Sequence, residues 1–183
     1  MAERLITNRI LLRRWQESDR EPFRALNADA RVMEFFPALL KPEESDQAIT
    51  RVELHFERYG FGFYAAELIE TGKFIGFIGL NVPAFDAAFM PAVEIGWRLA
   101  YEQWGRGLAT EGASAVVRSA WEDVRLTHLV SFTTAANFRS RRVMEKIGMI
   151  HDSASDFEHP NLPEGHPMRP HVLYRITSQA NAK

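Results

Sequence analysis

The chain contains no cysteine among its 183 residues. That absence excludes disulfides, thiolate zinc sites, iron–sulfur clusters and any thiol nucleophile. An excess of one sign of charge is also missing, since 22 Lys and Arg face 24 Asp and Glu for a formal charge of −2. A protein that grips nucleic acid or an anionic membrane through its overall field would carry a larger imbalance, so neither partner is expected. No run approaches the roughly 18 apolar residues of a membrane helix, and Met1-Ala2-Glu3-Arg4-Leu5 lacks the apolar core of a signal peptide. Internal repeats, low-complexity stretches and linkers are absent as well. The expectation is a soluble, cytoplasmic protein with a single domain over residues 1–183, ordered at about 5–177 and frayed in its polar tail from Ser178.

What is present reads as alternating strands and helices. Residues 5–15 are rich in branched and aromatic side chains and predict a first strand. Phe23, Leu26, Ala30 and Met33 carry helical spacing that breaks near Asn27, which predicts two short helices before Pro37. From Pro42, the pattern Ala48, Val52, Phe56 and Tyr59 describes an amphipathic helix ending at Gly60. Strands are expected at 61–69 and 73–82, joined by a hairpin at Glu70–Lys73, and then at 92–99, 128–134, 149–158 and 172–177. Helices are expected at about 109–124 and 137–147, the second stopped by Gly148, and the proline-rich stretch His159–Pro170 reads as a long loop. The fold class is α+β, a mixed and largely antiparallel sheet with one strand–helix–strand crossover.

The most informative stretch runs from Ile95 to Glu111. A strand with Val93, Ile95, Trp97 and Leu99 on one face and Glu94, Gly96 and Arg98 on the other leads into Trp104-Gly105-Arg106-Gly107, which opens a helix. Without side chains, Gly105 and Gly107 let an anion approach free backbone N–H groups at the helix start, a geometry that suits a pyrophosphate. A bare Gly-x-Gly is more often only a tight turn. Neither the Gly-x-Gly-x-x-Gly of a dinucleotide fold nor the Gly-Lys-Ser/Thr of a P-loop occurs here.

The segment instead resembles the pyrophosphate loop of the GNAT superfamily of N-acetyltransferases. Its Arg/Gln-x-x-Gly-x-Gly/Ala pattern is met by Trp104-x-x-Gly107-x-Ala109, with Trp104 in place of the usual first residue and Gln103 just before it. The wording Trp-Gly-x-Gly-x-Ala-Thr-Glu resembles the branch of ribosomal-protein N-terminal acetyltransferases. A second block, Asn137 to Met149, is similar to the family's Asn-x-x-Ser-x-x-x-Tyr-Glu-Lys-x-Gly-Phe, and Thr7 to Arg13 is similar to the opening of that branch, so the likeness covers nearly the whole chain.

The resemblance implies a sheet of about six or seven strands whose fourth and fifth strands splay apart at a bulge, flanked by helices, with the pantetheine arm of acetyl-CoA added in the gap. It places Trp97, Arg98 and Leu99 at those contacts, and the pyrophosphate on Gly105, Arg106, Gly107, Leu108, Ala109 and Thr110 at the positive end of the helix. Arg106, with Arg139 or Arg142, would add charge, although each alone also reads as a solvated surface cation. Asn137 resembles the pantetheine-binding asparagine and equally reads as a helix N-cap.

Transfer of acetyl to a primary amine needs a base for the amine proton, a donor for the oxyanion and an acid for the leaving thiolate. Glu94, on the polar strand face beside the acetyl group, is the first base candidate, though a structural hydrogen bond would also account for it. Glu158, in the turn Asp156–Pro160, is the second. The tyrosine that many relatives use as acid falls at Met144, which donates no proton, so Ser140 is the remaining hydroxyl. His159, His166 and His171 lack any fixed metal-ligand spacing, and no metal is expected. Phe35 and Phe36, before Pro37, lie where relatives shape the acceptor site.

The implied function is acetyl transfer from the cosubstrate acetyl-CoA to a protein N-terminus or a small amine such as an amino acid, polyamine or antibiotic. With no cysteine, the amine would attack directly in a ternary complex. A non-catalytic acyl-CoA-binding module is the alternative. The segments around 29–40, 83–92 and 157–171 would choose the acceptor, and a homodimer through the last strands is a further expectation.

Overall fold

A computed structural model describes residues 3–178; of the tail expected to fray from Ser178, Ser178 itself is instead buried with its N–H on the Thr127 carbonyl at 2.9 Å, and the rest lies outside the described residues. The first predicted strand is a hairpin, β1 (Arg4–Ile6) and β2 (Ile10–Arg13). Thr7 makes the turn, with its N–H on the Ile10 carbonyl at 2.9 Å and its hydroxyl oxygen accepting from the Ile10 N–H at 2.9 Å. Helix α1 (Arg20–Ala28) follows a short 3-10 turn. The expected second short helix is instead a chain of turns between residues 29 and 38. Asp29 explains the break: its side chain accepts from the Arg31 N–H at 2.9 Å, offering the backbone a local partner that competes with helix.

Helix α2 (Pro42–Tyr59) begins with proline at a position where no intrahelical N–H is needed, as expected. The sheet strands are β3 (Phe63–Leu68), β4 (Lys73–Asn81), β5 (Glu94–Leu99) and β6 (His128–Thr134), with α3 (Leu108–Glu122) crossing between the last two. Helix α4 (Phe138–Lys146) precedes β7 (Ile150–His151), β8 (Phe157–Glu158) and β9 (Pro170–Thr177). The single strand predicted over 149–158 is broken because Asp152 turns aside to accept from Ser155 Oγ at 2.7 Å and Arg175 Nε at 2.6 Å.

The described strands form one 9-stranded sheet in the order β1-β2-β3-β4-β5-β6-β9-β7, with β8 also on β9. Every pairing is antiparallel except β5 with β6, the pair joined by the α3 crossover. One face buries Ile10, Leu12, Ile78, Leu80 and Ile95 against Ala113, Val116 and Ala120 of α3, all of them 0% exposed. Burial of such apolar stripes on a sheet is the main driving term of the fold. The other face carries α1 and α2 through Phe23, Leu26 and Ile49, packed against Phe74 and Phe77. No helix among the described residues is long and apolar enough to cross a membrane.

Candidate active site

The parallel pair β5/β6 holds together at a single rung. Glu94 is in register with Val130, whose N–H donates to the Val93 carbonyl at 2.9 Å, and beyond it the strands diverge. The splay comes without a bulge in β5, whose register with β4 is continuous from Glu94 to Leu99; the register shift in this part of the sheet lies at Ala66/Glu67, between β3 and β4. Into the gap opens a cleft of about 1110 Å³.

Strand alternation decides which backbone groups face that gap. The Ala100 N–H donates to the Ile75 carbonyl at 2.9 Å, so residues 98, 96 and 94 continue the same hydrogen-bonded rungs with β4. The backbone of Trp97 and Leu99 therefore points into the splay, and that of Arg98 does not. This corrects the expectation that all three would offer backbone contacts. The Leu99 carbonyl is further engaged by the Trp104 indole N–H at 2.9 Å, which makes Trp104 a brace for the end of β5.

At the wide end, Gly105 (φ 74°) and Gly107 (φ 77°) turn the chain into α3 through left-handed conformations that a side chain would strain. The amides of Leu108, Ala109 and Thr110 are those of the first helical turn, which have no acceptor inside the helix, and all three residues line the cleft. Here the tight-turn reading and the anion-loop reading describe the same glycines. Arg106 lies outside the cleft lining and hydrogen-bonds Gln103 Oε1 at 2.5 Å, so the charge expected from it is not directed there.

Two residues not anticipated from the sequence hold this turn in place. Arg9, at the β1–β2 hairpin, donates through NH1 to the Arg106 carbonyl at 2.9 Å and pairs with Glu111 Oε2 at 2.6 Å. Glu111 Oε1 also accepts from Thr7 Oγ1 at 2.7 Å and the Arg9 N–H at 2.9 Å. Burial works against the Glu111 carboxylate, but these hydrogen bonds outweigh it and hold its pKa below the ordinary value. If this turn holds the pyrophosphate of acetyl-CoA, as the resemblance implies, and the latch orders it, Arg9→Ala should raise KM for acetyl-CoA about 2- to 12-fold, equivalent to roughly 0.5–1.5 kcal/mol, with kcat unchanged. Steady-state kinetics with acetyl-CoA varied would show this, and an unchanged KM would remove Arg9 from that role.

At the apex of the splay sits Glu94, on the α1/α2 face, with Asn81 Nδ2 donating to its Oε2 at 3.2 Å. Burial pushes its carboxyl up to about 7, and the Asn81 hydrogen bond offsets part of that. Glu158 does not join it: the side chain is exposed, pairs with Arg169 at 3.2 Å and lies outside the cleft lining. The sequence-based expectation of a second base is corrected accordingly.

Helix α4 supplies the opposite wall. Asn137 caps it, its Oδ1 accepting from the Ser140 N–H at 3.2 Å while its Nδ2 donates to Thr133 Oγ1 at 2.9 Å. Both ends of that side chain are thus engaged in the fold. Ser140 lines the cleft half-buried, and its hydroxyl makes no hydrogen bond to the described residues. Met144 lines the cleft too and is 1% exposed, part of the main core. Arg139 and Arg142 are lining residues, the first paired with Glu34 and stacked 4.4 Å over Trp104, the second paired with Glu145. Phe35, Phe36, His159 and His171 also line the cleft, whereas Phe61 and Phe85 do not. No group of three His, Asp or Glu capable of holding a metal occurs among the described residues.

An apolar gap between splayed parallel strands, a helix start at its mouth and a carboxylate at its apex match what the resemblance implies for a coenzyme A-dependent acyltransferase. Comparison with known proteins makes the class specific. The family model for the acetyltransferase (GNAT) domain matches residues 9–150. The uncharacterized protein YkkB of Bacillus subtilis (strain 168) is 30% identical over 147 residues, 80% of this chain and 84% of YkkB. The acetyltransferase from Agrobacterium tumefaciens str. C58 superposes with a TM-score of 0.77 at 28% identity, covering 97% of this chain and 96% of that one. RimL, a ribosomal L7/L12 alpha-N-protein acetyltransferase solved with coenzyme A, superposes with a TM-score of 0.78 over 98% of this chain and 100% of its own, at 16% identity that speaks for the fold alone. The chain belongs to the GNAT acetyltransferase family.

Proposed function

We propose that this protein transfers the acetyl group of acetyl-CoA to a primary amine, either a protein N-terminus or a small-molecule amine, by direct attack in a ternary complex. The observation that carries the reading is Glu94: a carboxylate at the apex of the splay whose pKa, raised by burial to about 7, lets it hold or release a proton near neutrality. The residues present fit acetyl-CoA. Trp97 and Leu99 offer backbone groups in the gap, Gly105 and Gly107 to Thr110 offer the helix-start turn, and Trp104 and Asn137 brace the two walls. Acetyl-CoA supplies a thioester, which an amine attacks without covalent help from the protein.

In that chemistry Glu94 accepts the amine proton, directly or through water. Ser140, with its free hydroxyl on the α4 wall, is the donor toward the departing thiolate. Ser140→Ala is expected to lower kcat with little change in stability, because the Asn137 cap uses the backbone N–H of residue 140 and not its hydroxyl. The measurement is thiol release from acetyl-CoA with a verified amine, and undiminished kcat would remove Ser140 from the acid role.

Met144, buried where the family's tyrosine falls, favours a second reading, a non-catalytic acyl-CoA-binding module. The two readings separate cleanly. If acetyl-CoA binds by calorimetry and no amine in a broad panel of peptides and small amines is acetylated, the binding module is the better account.

A further inference from the structure

We propose that the acceptor is a monocationic amine carried on an apolar, ring-bearing body, and that polycationic amines are poor substrates. The inference rests on the acetyl-transfer reading above and concerns the half of the cleft on the α1/α2 face.

The first support is the distribution of charge. Among the described residues lining the cleft, the carboxylates are Glu94 and Glu145, and Glu145 is exposed on α4 and paired with Arg142 at 3.1 Å. Glu94 is therefore the single carboxylate available to an ammonium on the acceptor face. Arg98, two alternations further along the same face of β5, adds a positive charge that forms no ion pair among the described residues. Its NH1 donates to Asn27 Oδ1 at 2.6 Å, its Nε is buried without a partner, and burial pushes its pKa down to about 10. A second ammonium on the acceptor would meet this cation instead of a second carboxylate, and a desolvated charge without a partner is costly.

The second support is the chemistry of the walls. Gly96 lets the Phe63 ring close in beside Glu94; a Cβ there would stand 3.1 Å from that ring and 3.6 Å from Glu94 Oε1. Phe63 and Phe77 pack with ring centroids 4.9 Å apart, on the face that Gly96 exposes. Across the splay, register places Phe132 and His171 on the same face as Glu94, and the His159 ring lies tilted against His171 at 5.0 Å between centroids. Burial pushes both imidazoles below their ordinary pKa, and the Glu158 carboxylate near His171 is already paired with Arg169. Aromatic rings also attract ammonium groups through their faces, and arginines already lie over three rings of this cleft. The Arg98 guanidinium lies 3.9 Å over Phe36 and 5.4 Å from the Phe77 centroid, and Arg139 lies 5.9 Å from Phe35. What the walls leave for an acceptor is apolar contact around one ammonium.

The test is steady-state acetylation at fixed acetyl-CoA with four probes: 2-phenylethylamine, a tetrapeptide with N-terminal Phe, spermidine and kanamycin. At least one of the first two is expected to exceed both polycations in kcat/KM by about 10-fold or more, the effect of leaving a charge unpaired. Activity confined to the tetrapeptide or to 2-phenylethylamine supports the inference and assigns the source of the amine. Spermidine or kanamycin matching the better of the two ring-bearing amines would overturn it. If calorimetry shows acetyl-CoA binding and none of the probes or a wider amine panel is acetylated, the acetyl-transfer reading itself fails and takes this one with it. His159→Glu, at a half-buried position just after β8 in the cleft lining, adds a second carboxylate to the wall across the splay from Glu94 and should raise spermidine relative to 2-phenylethylamine about 10-fold. An unmoved ratio in that folded variant would show that carboxylate count does not set the preference.

Discussion

Glu94→Gln is expected to lower kcat roughly 10²- to 10⁴-fold while KM for acetyl-CoA stays near the wild-type value. The carboxamide keeps the shape of the side chain and can still bond Asn81, so what is lost is the ability to take a proton. KM is expected to hold because Glu94 is at the apex end of β5, whereas the Gly105–Thr110 turn lies beyond the strand's other end. A pH profile gives a second, independent readout. Burial raises the carboxyl to about 7, so the base is protonated and idle below that value and available above it. Wild-type kcat should fall as pH drops through about 7, and Glu94→Gln should lose that inflection. A variant with full turnover, or with the inflection intact, would mean that another group takes the proton.

The second large effect is expected from a residue that touches no substrate. Gly76 of β4 has φ 135°, and a Cβ there would lie 2.1 Å from the Arg98 carbonyl oxygen and 2.8 Å from the Leu99 Cα. Those are backbone atoms of the strand that edges the cleft, and they cannot swing aside as a side chain can. Gly76→Ala should cost at least about 3 kcal/mol, combining backbone strain with displacement of β5. For a domain of this size that corresponds to a Tm lower by about 6–12 °C. Because the displaced atoms belong to Arg98 and Leu99, KM for acetyl-CoA should rise in the same variant. Gly72→Ala is the control, since its φ is 64° but a Cβ there meets nothing within 4 Å. It should lose only the strain of the left-handed conformation, about 1–2 kcal/mol, with KM unchanged. Equal losses in the two variants would show that contact with β5 is not what requires glycine at position 76.

Most of the fold was legible because its signals are local. The α2 helix has Pro42 at its start and an apolar stripe along it; β5 alternates by residue; α3 opens on Gly107. The misreadings fall where a short polar side chain diverted the backbone. Thr7 made a turn inside the first apolar run, Asp29 replaced a helix by turns, and Asp152 split the strand before the proline-rich loop. Each is a hydrogen bond between a side chain and nearby groups that periodicity does not register. The candidate site shows the same division. Glu94, Ser140 and the helix-start turn were reachable from motif and alternation, while Arg9 and Glu111 act across the sheet, from a hairpin to a helix far along the chain.

By itself the sequence determined the family and excluded a thiol from the proposed chemistry. A chain without cysteine has no thiol to carry an acetyl group, and the turn at Gly105 and Gly107 presents oriented amides to an anion without needing an excess of positive charge. Tertiary structure alone decided which groups are available. It turned the backbone of Arg98 toward β4 and that of Trp97 and Leu99 into the gap, paired Glu158 with Arg169 outside the cleft, and left Glu94 as the carboxylate at the apex. The physical reason is that proton affinity and hydrogen-bonding capacity depend on what surrounds a group. Burial raises the pKa of Glu94, and the residues in register beside it, Asn81 of β4 and Val130 of β6, are brought there only by the fold.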